Sequence, residues 1–146
     1  QDTALKFLGY KMRTENEVYK KLSEKDYSED IKSRVMAFLK KYGYVDDKKY
    51  CEAYIKECER LKPKGKYLIK YELSQRGVDD KVIYEVFENM DLDEISGAVK
   101  LIRKKIKDFS NVDFKEKQKV FAMLQRKGYN YDVIKEAFDE ASSDDF

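Results

Sequence analysis

The 146-residue chain has no histidine, no tryptophan, one proline, six glycines and two cysteines. Each shortage closes a route. Without histidine, the side chain that most often serves as general base or metal ligand near neutral pH is missing. One proline and few glycines disfavour a turn-rich β architecture and leave long helices. Cys51 and Cys58 are seven positions apart; on a helix they share one face at a rise of roughly 10 Å, too far for a disulfide. Two reduced thiols in a core are expected, which fits a cytoplasmic protein. They do not make a zinc site. No apolar run reaches the ~18 residues a helix needs to cross a bilayer, and no signal-peptide pattern is visible. Lys64-Gly65-Lys66 is too short for a phosphate loop. Asp46-Asp47 and Asp79-Asp80 precede predicted helices and read as caps. No catalytic residues single themselves out, so neither an enzyme nor a cofactor is expected.

What the chain does have is charge and repetition. Charged residues make up 41% and hydrophobic residues 42%, with a net charge of only +2. The balance hides segregation. Residues 100–127 hold ten Lys/Arg against three acids, residues 79–95 seven acids against one Lys, and residues 132–146 six acids against one Lys. Separated blocks can present a basic stripe to a polyanion, or pair with each other. A phrase recurs at a fixed interval of 51 residues: Leu22-Ser-Glu-Lys25-Asp26-Tyr27, Leu73-Ser-Gln-Arg76-Gly77-Val78 and Leu124-Gln-Arg-Lys127-Gly128-Tyr129. Nine positions after each leucine stands Ile31, Val82 or Val133. Fixed-period self-similarity marks a repeat architecture. The expected fold is all-α: three tandem three-helix repeats, at 1–44, 45–90 and 91–146, stacked into an elongated, curved, right-handed solenoid-like body.

Local signals place the helices. Ala4–Lys11 reads as a short first helix, and Thr14-Glu-Asn-Glu17 as a capping box opening a second that ends near Lys25. Ser28 caps a third, with Ile31, Val35, Phe38, Leu39 and Tyr42 on its apolar face and Gly43 ending it. In the second repeat Tyr50, Tyr54, Cys58 and Leu61 share a face, and Pro63 breaks the chain. A helix from about Lys66 to Arg76 stops at Gly77, and Asp79 caps the next, with Val82, Val86 and Phe87 inward. In the third repeat Ile95, Ala98, Val99, Ile102, Ile106 and Phe109 mark a long first helix, with Leu101 off its apolar stripe. A helix over about Phe114–Lys127 closes at Gly128. Asn130 caps the last, which carries Val133, Ile134, Ala137 and Phe138, and the tail from Ser142 to Phe146 is expected to fray. Within the phrase, the leucine anchors a core and the glycine takes a left-handed turn. Asp26 stands in that position in the first copy. Lys25, Arg76 and Lys127 sit at helix C-termini, where the dipole favours a cation; a ligand role is the alternative.

Three groups of basic residues are candidates for binding a polyanion or a partner. The first is Lys62, Lys64, Lys66 and Lys70, with Tyr67 and Tyr71 interleaved to stack or hydrogen-bond. The second is Arg103, Lys104, Lys105 and Lys107. The last is Lys115, Lys117, Lys119 and Arg126. A short turn between the second and third helices of each repeat also resembles a helix-turn-helix DNA reader. The third helices, however, carry Glu85, Glu88, Glu136, Asp139 and Glu140, which would repel phosphates. Weak, salt-sensitive, sequence-independent DNA binding is the expectation, and a peptide-binding helical scaffold is a further alternative.

The same residues carry a family resemblance. Ala4-Leu-Lys-Phe-Leu8 followed by Lys11-Met-Arg-Thr-Glu-Asn-Glu-Val18 and Leu22 resembles the first-repeat signature of the RecX regulators of bacterial RecA recombinase. Gly43-Tyr-Val-Asp-Asp47 with Tyr50, Cys51 and Tyr54 looks like that family's junction into repeat two. Gly65, Ile69, Glu72-Leu73 and Arg76-Gly77 are similar to its second-repeat helix, and Leu124–Tyr129 with Ile134 to its third. The likeness covers residues 4–138. Two departures stand out: Leu68 occupies a position where the family commonly has arginine, whose charge Lys66 or Lys70 would supply, and Asp26 replaces a glycine. The resemblance implies a modular, elongated, curved helical protein lodged in the groove of the RecA–DNA filament; a monomer is the default expectation. It implies modulation, usually inhibition, of recombinase, ATPase and co-protease activities, with the basic residues facing DNA or recombinase.

Overall fold

The computed structural model describes residues 12–143, and these form helices and connecting turns with no strand among them. The helices are α1 (Glu15–Glu24), α2 (Glu29–Lys41), α3 (Asp47–Leu61), α4 (Lys66–Gln75), α5 (Asp80–Asn89), α6 (Glu94–Lys105), α7 (Phe114–Arg126) and α8 (Tyr131–Ser143). The helix expected at Ala4–Lys11 lies outside the described residues. The boundaries follow local chemistry. Thr14 and Glu17 form the capping box, each side chain accepting the other's amide at 3.0 Å. Ser28, Asp79, Asp93, Asp113 and Asn130 accept amides at the starts of α2, α5, α6, α7 and α8. The left-handed turns fall on Gly77 (φ 85°), Gly128 (φ 94°) and, in the first copy, Asp26 (φ 64°).

The chain forms two compact units, residues 1–54 with 72–90, and residues 55–71 with 91–146. The division falls within α3 and α4. In the first unit Val18, Leu22, Val35, Met36, Leu39 and Val45 make one core. In the second, Ala98, Val99 and Ile102 of α6 pack with Val120 and Leu124 of α7 and Ile134, Ala137 and Ala141 of α8. The phrase leucines Leu22, Leu73 and Leu124 are all buried at 1% exposure or less.

Several faces differ from the sequence reading. Ile31 and Tyr42 are exposed, and the buried face of α2 is Lys32, Val35, Met36 and Leu39. Val82 is half-buried, and Ile83 takes the inward position beside Val86 and Phe87. The buried repeat position is therefore ten after each leucine, filled by Lys32, Ile83 and Ile134. The lysine is tolerated there because its ammonium leaves the core to meet Glu29 Oε1 at 2.6 Å and Ser23 Oγ at 3.1 Å, over the Tyr19 ring. Helix α3 buries Tyr50 and Cys58 as expected, with Cys51 and Ile55 beside them, while Tyr54 is half-buried and Leu61 exposed. Helix α6 ends at Lys105: Ile106 is extended, so Phe109 packs on the core from the following turn. Leu101 is half-buried against that core. Ser142 and Ser143 continue α8, and the remainder of the expected frayed tail lies outside the described residues.

Candidate nucleic-acid and partner interface

The same joint is built once in each unit, and it accounts for several residues that looked like ligands. In the second unit the amino end of α4 meets the carboxyl end of α7. The Gly65 and Tyr67 amides donate to the carbonyls of Lys127 (2.7 Å) and Gly128 (3.2 Å). A Cβ on Gly65 would lie 2.2 Å from the Gly128 carbonyl carbon, so the close approach requires glycine. The positive end of one helix dipole faces the negative end of another. In the first unit the amino end of α1 meets the carboxyl end of α4, where Thr14 Oγ1 donates to the Arg76 carbonyl at 3.0 Å. In both joints a carboxylate from the first residue of another helix completes the cap. Asp47 Oδ1 accepts the Glu15 amide and Glu94 Oε2 accepts the Lys66 amide, each at 2.8 Å. Burial raises the Asp47 carboxyl above the usual range, opposed by that Glu15 hydrogen bond.

Arg76 belongs to this framework. Its guanidinium hydrogen-bonds the Tyr50 hydroxyl and lies over the Tyr54 ring at 4.5 Å, while the Tyr54 hydroxyl donates to Glu72 at 2.8 Å. Burial works against its charge, but the Tyr50 hydrogen bond and the neighbouring Tyr54 and Glu17 outweigh it and raise its pKa. A clamp of cation on aromatic faces holds the end of α4. Lys127 is half-buried as the C-cap of α7.

The basic residues of all three candidate groups lie in the second unit. That unit carries 17 basic against 14 acidic residues, the first 14 against 15. Lys62 is exposed, whereas Lys64, Lys66 and Lys70 are half-buried and already engaged within the protein. Tyr67 and Tyr71 project from α4 at 65% and 61% exposure, one turn apart, as a stacking platform would. Arg103, Lys104 and Lys105 are exposed in the last turn of α6, with Lys107 just beyond, and fan around the axis instead of converging. On α7 the exposed Lys115, Lys119 and Arg126 share one face through spacings of four and seven. Lys117 lies on another face, beside a groove.

That groove escaped the sequence reading. It lies between α7 and α8, encloses about 310 Å³, and has Phe109, Phe114, Phe121 and Phe138 in its walls. Its signal was present in the helical spacing of Phe114, Lys117, Gln118 and Phe121, but only the pairing of α7 with α8 turns one stripe into a groove. The acidic residues of the third helices, Glu85, Glu88, Glu136, Asp139 and Glu140, are all exposed. Among the described residues no group of three or more potential ligands could hold a metal ion, and no helix is long and apolar enough to cross a membrane.

Comparison with known proteins finds relatives along most of the chain. Residues 2–39, 46–86 and 93–138 match the models of the first, second and third three-helix domains of RecX. The chain is 39% identical over 136 residues to the regulatory protein RecX of Clostridium perfringens strain SM101, covering 90% of this chain and 63% of that protein. It is 33% identical over 150 residues to that of Clostridium botulinum strain Alaska E43, covering 70% of its length. The chain thus spans about two thirds of these curated relatives. The crystal structure of RecX from Lactobacillus salivarius superposes with a TM-score of 0.87 at 29% identity, over 97% of this chain and 94% of that one.

Proposed function

The chain belongs to the RecX family of regulatory proteins, and from that premise we propose that it binds the RecA–DNA nucleoprotein filament in its groove and lowers recombinase, ATPase and co-protease activity. The observation that carries this reading is the run of three RecX domain matches along the chain, taken with exposed cations gathered in the second unit. On this reading residues 1–44, 45–90 and 91–146 are the three repeats. The protein acts as a monomer in the cytoplasm and regulates without catalytic chemistry of its own. Lys115, Lys119 and Arg126, with Arg103–Lys105 and Lys107, face DNA phosphates, and Tyr67 and Tyr71 with Lys62, Lys64, Lys66 and Lys70 form a second contact region. Affinity for bare DNA is weak and sequence-independent, because exposed acids on α5 and α8 keep those helices off phosphates.

The test is the RecA ATPase rate on single-stranded DNA as the protein is titrated in, beside a bare-DNA binding control. Inhibition at amounts well below one per recombinase, with little bare-DNA binding, is expected. An unchanged ATPase with tight binding to one particular duplex would sink the proposal and favour a direct helix-turn-helix reader. Reversing Arg103, Lys104 and Lys105 to glutamate should weaken filament binding in a folded protein; unchanged affinity would remove that block from the interface.

A further inference from the structure

The α7–α8 groove has a different chemistry from the basic stripe, although the two share a helix. On α7 the groove side is Phe114, Lys117, Gln118 and Phe121. On α8 it is Lys135, Phe138, Asp139 and Ser142. Both sets follow the spacing i, i+3, i+4, i+7, so the walls run in step for two helical turns. Phe121 and Phe138 stack with ring centroids 6.4 Å apart and planes 13° apart, and Tyr131 tilts against Phe121 at 5.6 Å. Phe114, the first residue of α7, is 72% exposed. Water against that much aromatic surface is costly, and exposed apolar patches rimmed by polar groups mark interaction sites.

The rim says what covers it. Lys117 on one wall and Lys135 on the other make no ion pair among the described residues, and Asp139 is the single acid against them. An apolar floor two turns long, between two helices and flanked by one cation on each side, fits an amphipathic segment with acidic flanks. A DNA strand fits it less well. Phosphates want a row of cations, and the row on α7 (Lys115, Lys119, Arg126) lies about 120° around the axis from Phe114 and Phe121.

We propose that the groove between α7 and α8 is a protein-docking surface that takes an amphipathic, acid-flanked segment of the recombinase, leaving the DNA to the basic face of the same helix. The inference rests on the filament reading above. Its test places the photo-crosslinker p-benzoylphenylalanine at position 114 and irradiates the full chain bound to RecA filaments on single-stranded DNA. Phe114→Ala is measured alongside by filament co-sedimentation and by anisotropy on bare DNA. With Phe114 so exposed, the alanine variant should keep the wild-type melting curve. A cross-link to the recombinase polypeptide is expected, with filament affinity about tenfold weaker or more in Phe114→Ala, as for loss of an aromatic anchor, and bare-DNA affinity unchanged. A cross-link to DNA or to a second copy of this chain would overturn the proposal, as would filament binding by Phe114→Ala equal to wild type. Failure of the wild-type protein to bind filaments would sink the filament reading itself, and this partner with it.

Discussion

Gly128 tests whether the joint between α4 and α7 is as tight as it looks. Its backbone is left-handed, at φ +94°, and a Cβ added there would stand 2.3 Å from the Leu68 amide nitrogen and 2.5 Å from Leu68 Cβ. Two separate costs follow for Gly128→Ala. The left-handed conformation costs an L-residue roughly 1–2 kcal/mol. Crowding a packed position against backbone that cannot swing away costs about 1–3 kcal/mol more. Gly43 supplies the yardstick, because it is also left-handed, at φ +74°, yet has nothing within 4 Å of an added Cβ. Gly43→Ala should show only the first cost. For a chain of this length the expected fall in Tm is about 5–15 °C for Gly128→Ala and about 3–6 °C for Gly43→Ala. Far-UV circular dichroism during urea and thermal unfolding gives the totals. Because the two glycines lie in different units, amide exchange at Leu39 and Leu124 assigns each loss to its own core. Equal destabilisation by the two substitutions would refute the close contact on which the joint is built.

Other outcomes follow from single features. Replacing Lys115, Lys119 and Arg126 by glutamine should lower the slope of log affinity against log salt for single-stranded DNA by about 2, three phosphates at ~0.7 each; an unchanged slope would clear that face of DNA contact. Arg76→Lys should leave the slope alone and cost about 1 kcal/mol in urea unfolding, because an ammonium does not reproduce the planar stack over Tyr54. Lys32→Ile should melt no lower than wild type: the slot holds isoleucine in the other two repeats, and the partner Glu29 has a 75% exposed side chain that keeps its water. Burial pushes the Cys51 thiol up to about 12. The native state therefore holds the proton that the unfolded chain releases near pH 9, so this contribution is complete below pH 9 and declines as pH rises toward 12. Tm should fall across that window, less steeply in Cys51→Val, and an equally steep fall in the variant would assign the effect elsewhere.

The elements most legible in the sequence were those written in short-range chemistry. Thr14 with Glu17, the aspartates before α3 and α5, Pro63 after α3 and the left-handed residue after each second helix all act within a few positions, so the residues themselves locate the ends. Facing was harder. On α2 the apolar residues Ile31, Val35, Phe38 and Tyr42 offer a regular stripe, but the buried one is offset because Lys32 hides in a core slot behind its own polar tip. The basic candidates were legible as charged surface and not as a site. The Arg76 guanidinium is claimed by Tyr50 and the Lys66 backbone amide by Glu94, long-range partners that no spacing rule connects to them. The groove was invisible for the same reason, since it exists only once α8 lies beside α7.

The three copies of the second helix show how one phrase comes to serve two ends. Counting back by the 51-residue period, Thr14 and Gly65 are equivalent, and each lies at an amino end that receives the carboxyl end of another helix: one through a hydroxyl, the other through backbone alone. Their counterpart in the third copy is Glu116, exposed and within α7. Its carboxylate favours a solvated helix start, where a packed joint needs a small or neutral residue. Two positions earlier the second copy has Pro63, in the break before α4, and the third has Phe114, the first residue of α7. Helix α7 accordingly runs 13 residues where α1 and α4 run 10. The extra turn lifts Phe114 beside α8 and makes the groove. Within the described residues, the end of the third second-helix that is free of a repeat-to-repeat joint is therefore also the one that presents aromatic surface. Loss of that joint and gain of the groove are two consequences of the same local change in sequence, and Lys117→Pro, which removes the bond from the Lys117 amide to the Asp113 carbonyl, should shorten α7 by about a turn while leaving its Leu124 anchor buried.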